Sequence, residues 1–248
     1  MTILSLRGQS RGLGLSPRRR AAKGVALPSI VQDGLVAEWR FDQGAGQVLD
    51  DATGNGHHGR LGSTTGADAA DPTWTAQGLS FDGGDLVLCD NIGISGGAAR
   101  TVMAVVKASP PPTSRFGFEW GGTSTNGTRW TLHKDTSSGN LELDIRGATF
   151  EPALLVPADT WCFVAATQSG NNLNTVTLYL NGSSAASSTS ATIDTSTHAF
   201  VWGQDSAILR VMQAAYGLVY NRALSAAEVE QNRQVLKSLL AARGITLP

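Results

Sequence analysis

The sequence predicts an all-β protein, a two-sheet antiparallel jelly-roll sandwich with a short C-terminal helix and an extended N-terminal arm. Three observations predict it: a glycine-rich composition poor in charge, about ten short strand-like runs, and one helical signature confined to the end. Of 248 residues, 41% are hydrophobic, 16% are charged and 29 are glycine; the glycine share is well above the usual level of roughly 7%. Such a composition favours short strands joined by tight turns over long helices. The length suits one large sandwich, and no internal repeat of about 20 to 50 residues is visible.

The arm is defined by charge. Arg7, Arg11, Arg18, Arg19, Arg20 and Lys23 all precede the first acidic residue, Asp33, although the net charge of the whole chain is −1. Gly8, Gly12, Gly14, Pro17, Gly24 and Pro28 interrupt every apolar run before residue 34, so residues 1–33 read as an arm and not as a domain. Those six cations read either as an anchoring arm for an acidic partner surface or as a solvated tail. The near-neutral whole argues against specific nucleic-acid binding. No run approaches the roughly 20 apolar residues of a membrane span, so no membrane partner is expected. Residues 1–6 are too short for the apolar region of a signal peptide, and the stretch behind Arg18-Arg19-Arg20 is broken by Lys23, Gly24 and Pro28, so no export signal is predicted.

From Leu35 the pattern becomes periodic. Residues 35–41 alternate, placing Leu35, Ala37, Trp39 and Phe41 on one face and Glu38 and Arg40 on a wet face. Residues 50–59, with three glycines and an asparagine, predict a long ordered loop. Strand-like runs follow at 79–81, 86–89, 101–107, 115–120, 130–133, 141–145, 161–167, 176–180, 200–202 and 214–220, a number that fits a two-sheet jelly roll. Asn181-Gly182 is a hairpin turn signal, and the Ser/Ala/Thr run 183–192 belongs on the solvent side. Ser225-Ala226-Ala227-Glu228 forms a capping box. Val229, Leu236, Leu239 and Leu240 then make an apolar stripe at helical spacing, and Gly244 is a natural stop, which predicts a helix over about 225–243. Cys89 and Cys162 lie inside strand-like runs and read as buried free thiols.

Four stretches carry a family resemblance: 34–42 (Gly-Leu-Val-Ala-Glu-Trp-Arg-Phe-Asp) with Gly44 and Gly46; 51–59; 78–83; and 220–225 with Glu228. Together, over about residues 34–232, they are similar to the laminin-G-like, concanavalin A-like lectin/glucanase jelly-roll domain. Residues 67–78, with Asp71-Pro72-Thr73-Trp74-Thr75, resemble versions found in tailed-phage virion structural proteins. The resemblance implies a jelly-roll domain over 34–248 and a non-catalytic virion component, either capsid decoration, fibre or tail. The lectin-like domain would be displayed outward, with the arm bound to other virion subunits. A homo-oligomer is expected, made in the host cytoplasm and carried in the phage particle. The alternative is a secreted or surface glycan-binding lectin or adhesin, with a host-surface glycan as partner. Relatives often carry acidic residues just ahead of the tyrosine of the last motif. Ala215 and Tyr216 stand there instead, so no site carries over from that region.

Candidate sites follow from chemistry. Retaining glucanases of this fold need two carboxylates about 5 Å apart, placed on one strand as Glu-x-Asp-x-x-Glu. The nearest match is Glu142-Leu143-Asp144-Ile145-Arg146-Gly147, in which the second glutamate is missing. Glu142 and Asp144 therefore read as the wet face of a strand. Motifs for other hydrolytic or nucleotide chemistry are absent, so no enzyme is predicted. No cofactor is required, but a structural calcium could draw on Asp42, Asp51, Asn55, Asp82 and Asp85, residues that also serve as ordinary turn formers. His57 and His58 are adjacent and point apart, which disfavours zinc. Trp74, Trp130 and Trp202 sit beside loop-like residues and are the candidate platforms for sugar rings; Trp39 and Trp161 read as core.

Overall fold

The computed structural model describes residues 29–109, 115–122, 124–205 and 208–248, leaving aside the side chains of 205, 208 and 209. The six arm cations from Arg7 to Lys23 lie outside the described residues. In chain order the strands are β1 Leu35–Trp39, β2 Val48–Leu49, β3 Gly59–Leu61, β4 Thr73–Thr75, β5 Gly78–Asp82, β6 Val87–Cys89, β7 Arg100–Ala108, β8 Gly117–Gly121 and β9 Arg129–Lys134. They continue as β10 Leu141–Asp144, β11 Thr149–Phe150, β12 Trp161–Gln168, β13 Val176–Leu180, β14 Ser183–Ala186, β15 Phe200–Trp202, β16 Gln204–Asp205, β17 Ile208–Leu209 and β18 Val211–Tyr220, and the helix α1 is Ala226–Ala241.

Two antiparallel sheets form the predicted sandwich. Sheet A runs β14-β13-β12-β7-β18-β5-β4, with β1 also paired to β18. Sheet B runs β11-β10-β9-β8-β15-β6-β3-β2, and β16-β17 is a separate hairpin. Every second residue of each strand points between the sheets. Their shared core is aromatic: Trp120 stacks on Trp130 at 4.6 Å, Phe200 lies 5.3 Å from Trp39, and Trp202 meets Trp39 edge-on at 5.6 Å. Gly217 makes that packing possible, since a Cβ there would come within 2.4 Å of the Trp202 ring. Cys89 and Cys162 face this core from opposite sheets as free thiols; burial raises both thiol pKa values.

Arg100 is fully buried at the end of this core. It donates from Nε to the Ala98 carbonyl, from Nη1 to Thr195 Oγ1 at 3.0 Å and from Nη2 to the Gly96 carbonyl at 2.6 Å. Its guanidinium lies 5.4 Å from the centre of the Trp120 ring. Desolvation brings its pKa down to about 10, so it remains a cation that ties the loop at residues 96–98, through its carbonyls, to the Thr195 hydroxyl of another loop.

A second apolar layer lies outside sheet A. Met103, Val105, Phe163, Ala165, Tyr216, Leu218 and Tyr220 point away from the first core and meet Val229, Leu236 and Leu240 of α1. The helix begins as predicted: Ser225 Oγ accepts from the Glu228 backbone N–H, and Glu228 Oε2 accepts from that of Ser225 at 2.8 Å. Arg222 also binds Glu228, and with the Ser225 bonds this holds the Glu228 carboxyl down at about 2. The predicted stripe needs one correction. Leu239 is exposed, and the fourth buried position is Asn232. Asn232 Nδ2 donates to Tyr220 Oη, and its Oδ1 accepts from the Val31 backbone N–H, both at 2.8 Å.

That last bond moves the expected boundary of the arm. Residues 29–33 are packed on the domain: Ile30 is buried in the helix-side layer, Gln231 Nε2 donates to the Ser29 carbonyl, and Arg222 pairs with Asp33. Hydrogen bonding of this backbone, not periodicity, ties residues 29–33 to the domain. The Asn181-Gly182 turn matches expectation, with φ of 51° and 95°, the positive angles of a two-residue hairpin turn. In β18 the pairing with β7 slips between Ala214 and Tyr216. Ala215 is the extra residue of a bulge, so Ala215 and Tyr216 both face the helix layer.

Candidate functional site: the polar outer face of sheet B

The outward residues of sheet B differ in kind from those of sheet A. From β8, β9 and β10 they are Gly117, Glu119, Arg129, Thr131, His133, Glu142 and Asp144, set by alternation against Phe118, Trp130, Leu132, Leu141 and Leu143, which point inward. Cross-strand register groups them in rows, Val201–Glu119–Thr131–Asp144 and Gly117–His133–Glu142. The face is polar yet mostly buried: Glu119, Arg129, Thr131, His133 and Glu142 are all below a tenth exposed. β16, the first strand of the separate hairpin, lies next to β8 and β9.

The charged groups of this face lie next to polar neighbours. Glu119 accepts from Thr131 Oγ1 at 3.0 Å and from Gln204 Nε2 at 2.6 Å. Arg129 Nη2 donates to Asp144 Oδ2 at 2.5 Å, and His133 Nε2 stands 3.7 Å from Glu142 Oε1. Pairing of this kind is what allows charges to sit out of water. The expected wet strand is thus corrected: Glu142 points outward but is buried among polar neighbours. Next to Glu119 the face opens as a cleft of about 220 Å³, bordered by Gly121, Gly122, His198, Val201 and Gln204. His198 Nδ1 is held 3.0 Å from Ser196 Oγ at its rim.

The tryptophan platforms are not here. Trp130 and Trp202 are fully buried between the sheets, and Trp130 Nε1 donates to buried Gln168 Oε1 at 3.0 Å. Neither ring can meet a ligand without opening the core. Trp74, on edge strand β4, is half-buried against the core with its Nε1 donating to the Gly46 carbonyl at 2.9 Å.

The five residues expected to hold calcium fall into different turn networks. Asp51 is buried, and its two oxygens accept from the backbone N–H groups of Glu38, Thr53 and His57 and from the Thr53 hydroxyl. Against the desolvation of burial, those bonds lower its pKa. Asn55 turns its amide to the Val36 carbonyl at 2.9 Å. Asp82 Oδ1 accepts from Gly84 N at 2.7 Å and Asp85 Oδ2 from Asp82 N at 2.8 Å, while Asp42 is exposed beyond β1. Among the described residues no three His, Cys, Asp or Glu side chains are placed to share a metal ion. The donor set therefore does not fit a calcium site; it fits turns that satisfy their own backbone.

The departure at Ala215-Tyr216 also has a structural account. Tyr216 Oη donates to Glu38 Oε1, so a carboxylate is present at that place but comes from β1. Burial, then the bond to Glu38, raises the tyrosine pKa far above its usual value.

A two-sheet jelly roll with a polar outer face and a helix sealing the other side defines a lectin/glucanase-type sandwich. The chain belongs to the concanavalin A-like lectin/glucanases superfamily, whose profile matches residues 81–230. Among solved structures it is similar to domain 4 of an extracellular arabinanase from Geobacillus stearothermophilus, solved with arabinotriose, at 19% identity and a TM-score of 0.59, covering 79% of this chain and 96% of that one. It is also similar to the Trypanosoma rangeli sialidase, at 14% identity and a TM-score of 0.61, covering 91% of this chain but only 36% of the sialidase. A third likeness is the binding domain of Paraclostridial Mosquitocidal Protein 1, at 14% identity and a TM-score of 0.56, covering 83% and 52%. At these identities the likeness is one of fold. No curated protein matches the sequence.

Proposed function

We propose that the chain is a non-catalytic, carbohydrate-binding module of lectin type, and that its ligand lies on the outer face of sheet B in the cleft beside Glu119. The observation that carries this reading is that cleft. It is preformed, its carboxylate is fixed by Thr131 and Gln204, and it opens on a face where Arg129 pairs with Asp144. Fixed polar groups of this kind bind hydroxyls without reorganising. Binding is favoured over hydrolysis because the strand pattern Glu142-Leu143-Asp144 lacks the second glutamate of the retaining glucanases, with Arg146 and Gly147 in its place. The arabinotriose of the arabinanase domain makes neutral pentose and hexose oligosaccharides the first ligands to test. On a glycan array the full chain retains oligosaccharide, and Gln204→Ala and Glu119→Gln each reduce the signal at least tenfold. Retention unchanged in both variants rejects the site. Polysaccharide hydrolysis that disappears in Glu142→Ala rejects the non-catalytic assignment.

A second reading concerns context. The chain enters the domain at Ser29–Val31, bound to Gln231 and Asn232 of the helix, on the side away from the sheet B face. Six of the 19 basic residues and none of the 20 acidic residues lie in residues 1–28. The basic composition of residues 1–28, with the domain entered at Ser29 away from the ligand face, supports a self-associating virion component anchored to neighbouring subunits, with the sugar-binding face outward. Deleting residues 1–28 tests it: the truncated protein folds but fails to join its assembly, and normal incorporation rejects the anchoring role.

A further inference from the structure

We propose that the polar pocket formed by Glu38, Arg40, Asn55 and Gln32 is a second binding site, one that takes the hydroxyls of a neutral polyol or sugar. The pocket, about 340 Å³, lies on the outer side of sheet A where β1 meets the loop after Asp51 and the root of the N-terminal segment, and Leu35, Ala52 and Thr53 complete its wall. It does not depend on the cleft beside Glu119, which is on the other sheet.

Three observations carry the inference. Glu38 is 6% exposed, and its bonds all fall on one oxygen: Oε1 accepts from Tyr216 Oη and from Arg40 Nε, the latter at 2.9 Å. Oε2 accepts no bond and is not sealed from solvent, so it opens to the pocket. A buried carboxylate with one oxygen saturated and the other directed into a cavity is a preorganised acceptor. Beside it, Asn55 and Gln32 each commit their amide nitrogen to a backbone carbonyl, of Val36 and Ile30 at 2.9 Å in both cases. That leaves their carbonyl oxygens as further acceptors. Arg40, half-exposed, donates from Nε to Glu38 and also interacts with Tyr216, and its guanidinium supplies the donor side of the pocket.

The charge balance selects the ligand. Glu38 and Arg40 already neutralise one another, so an ammonium or a carboxylate entering the pocket would bring an uncompensated charge. A vicinal diol donates to Glu38 Oε2 and accepts from Arg40 without that cost. The wall contains no aromatic ring, so recognition is by hydroxyls alone, and a dissociation constant of about 1 mM or weaker is expected.

The test is amide chemical-shift mapping on the full chain, titrated separately with glucose, galactose, arabinose, ethanolamine and acetate. At least one sugar shifts the amides of Gln32, Arg40 and Asn55 in a saturable way, and Arg40→Ala and Asn55→Ala each weaken that response about tenfold. Both side chains are exposed, so neither substitution should unfold the protein, and unchanged shifts elsewhere confirm it. Absence of saturable shifts at these amides with every sugar overturns the site. So does a response unaltered in both variants, or one confined to ethanolamine or acetate. Shifts at Gly121 and Val201 report the Glu119 cleft independently, so failure of either site is distinguishable from failure of the other.

Discussion

The two sheets present opposite outer faces to their surroundings, and the contrast separates what holds this protein together from what it can do. Outside sheet A the outward residues are Met103, Val105, Phe163, Leu218 and Tyr220, and α1 covers them with Val229, Leu236 and Leu240. Outside sheet B they are Glu119, Arg129, Thr131, His133, Glu142 and Asp144, with Thr131 bonded to Glu119, Arg129 paired with Asp144, and His133 next to Glu142. Burial on the first face is hydrophobic and non-directional. On the second it is satisfied by pairing, which fixes geometry more than it adds stability.

The contrast can be broken most strongly on the helix side. Leu236→Ala leaves a cavity against sheet A and costs about 2–5 kcal/mol in urea unfolding, whereas Leu239→Ser on the same helix changes stability by less than about 0.5 kcal/mol. A large cost at Leu239 would mean that a second surface covers it. On the sheet B side, Arg129→Met alone leaves Asp144 without its ion pair and costs about 2 kcal/mol, and adding Asp144→Leu recovers most of that loss. If the double variant is no more stable than the single, the pair is not the unit described.

A smaller effect sharpens the boundary between the faces. Asp85, in the turn from β5 of sheet A to β6 of sheet B, is pushed up to about 6 by desolvation and by the nearby charges of Asp82 and Asp71. A carboxyl with a raised folded-state pKa contributes stability that is present below its unfolded value of about 3.9 and lost as pH rises through about 6. The expected loss is about 1–3 kcal/mol over that window. Asp85→Asn keeps the acceptor for Asp82 N, flattens that dependence and is the more stable form at neutral pH. An unchanged pH profile would assign the slope to other groups.

Much of the architecture was legible from residue order. The strand-like runs located β1, β5 to β10, β12, β13, β15 and β18 but not the short β2, β3, β4, β11 and β14; Asn181-Gly182 located a hairpin, and Ser225 with Glu228 located the helix start. The site was less so. Loop-like neighbours do not put a tryptophan at a rim: Gly203 beside Trp202 marks close packing, since a Cβ there would come within 2.5 Å of Phe81, and room for the buried Trp202 ring comes from Gly217, distant in sequence. The Glu119 cleft joins residues 119, 121, 198, 201 and 204, and period-two patterning marks each as outward or inward without saying which strands become neighbours. Asn232 was missed for a related reason. A polar residue on an apolar stripe breaks the pattern, and its partners, Val31 and Tyr220, are remote in sequence.

The bulge at Ala215 acts as a parity switch. Counting along β18, Met212 and Ala214 fall on the inner side, yet Tyr216, Leu218 and Tyr220, also even-numbered, fall on the outer side. The extra residue carries the strand from one counting frame to the other. Removing it would force the two halves to share a frame, turning either Met212 or Tyr216 the wrong way and parting Glu38 from the hydroxyl that orients it. A single alanine with no functional group of its own therefore decides which oxygen of Glu38 is free.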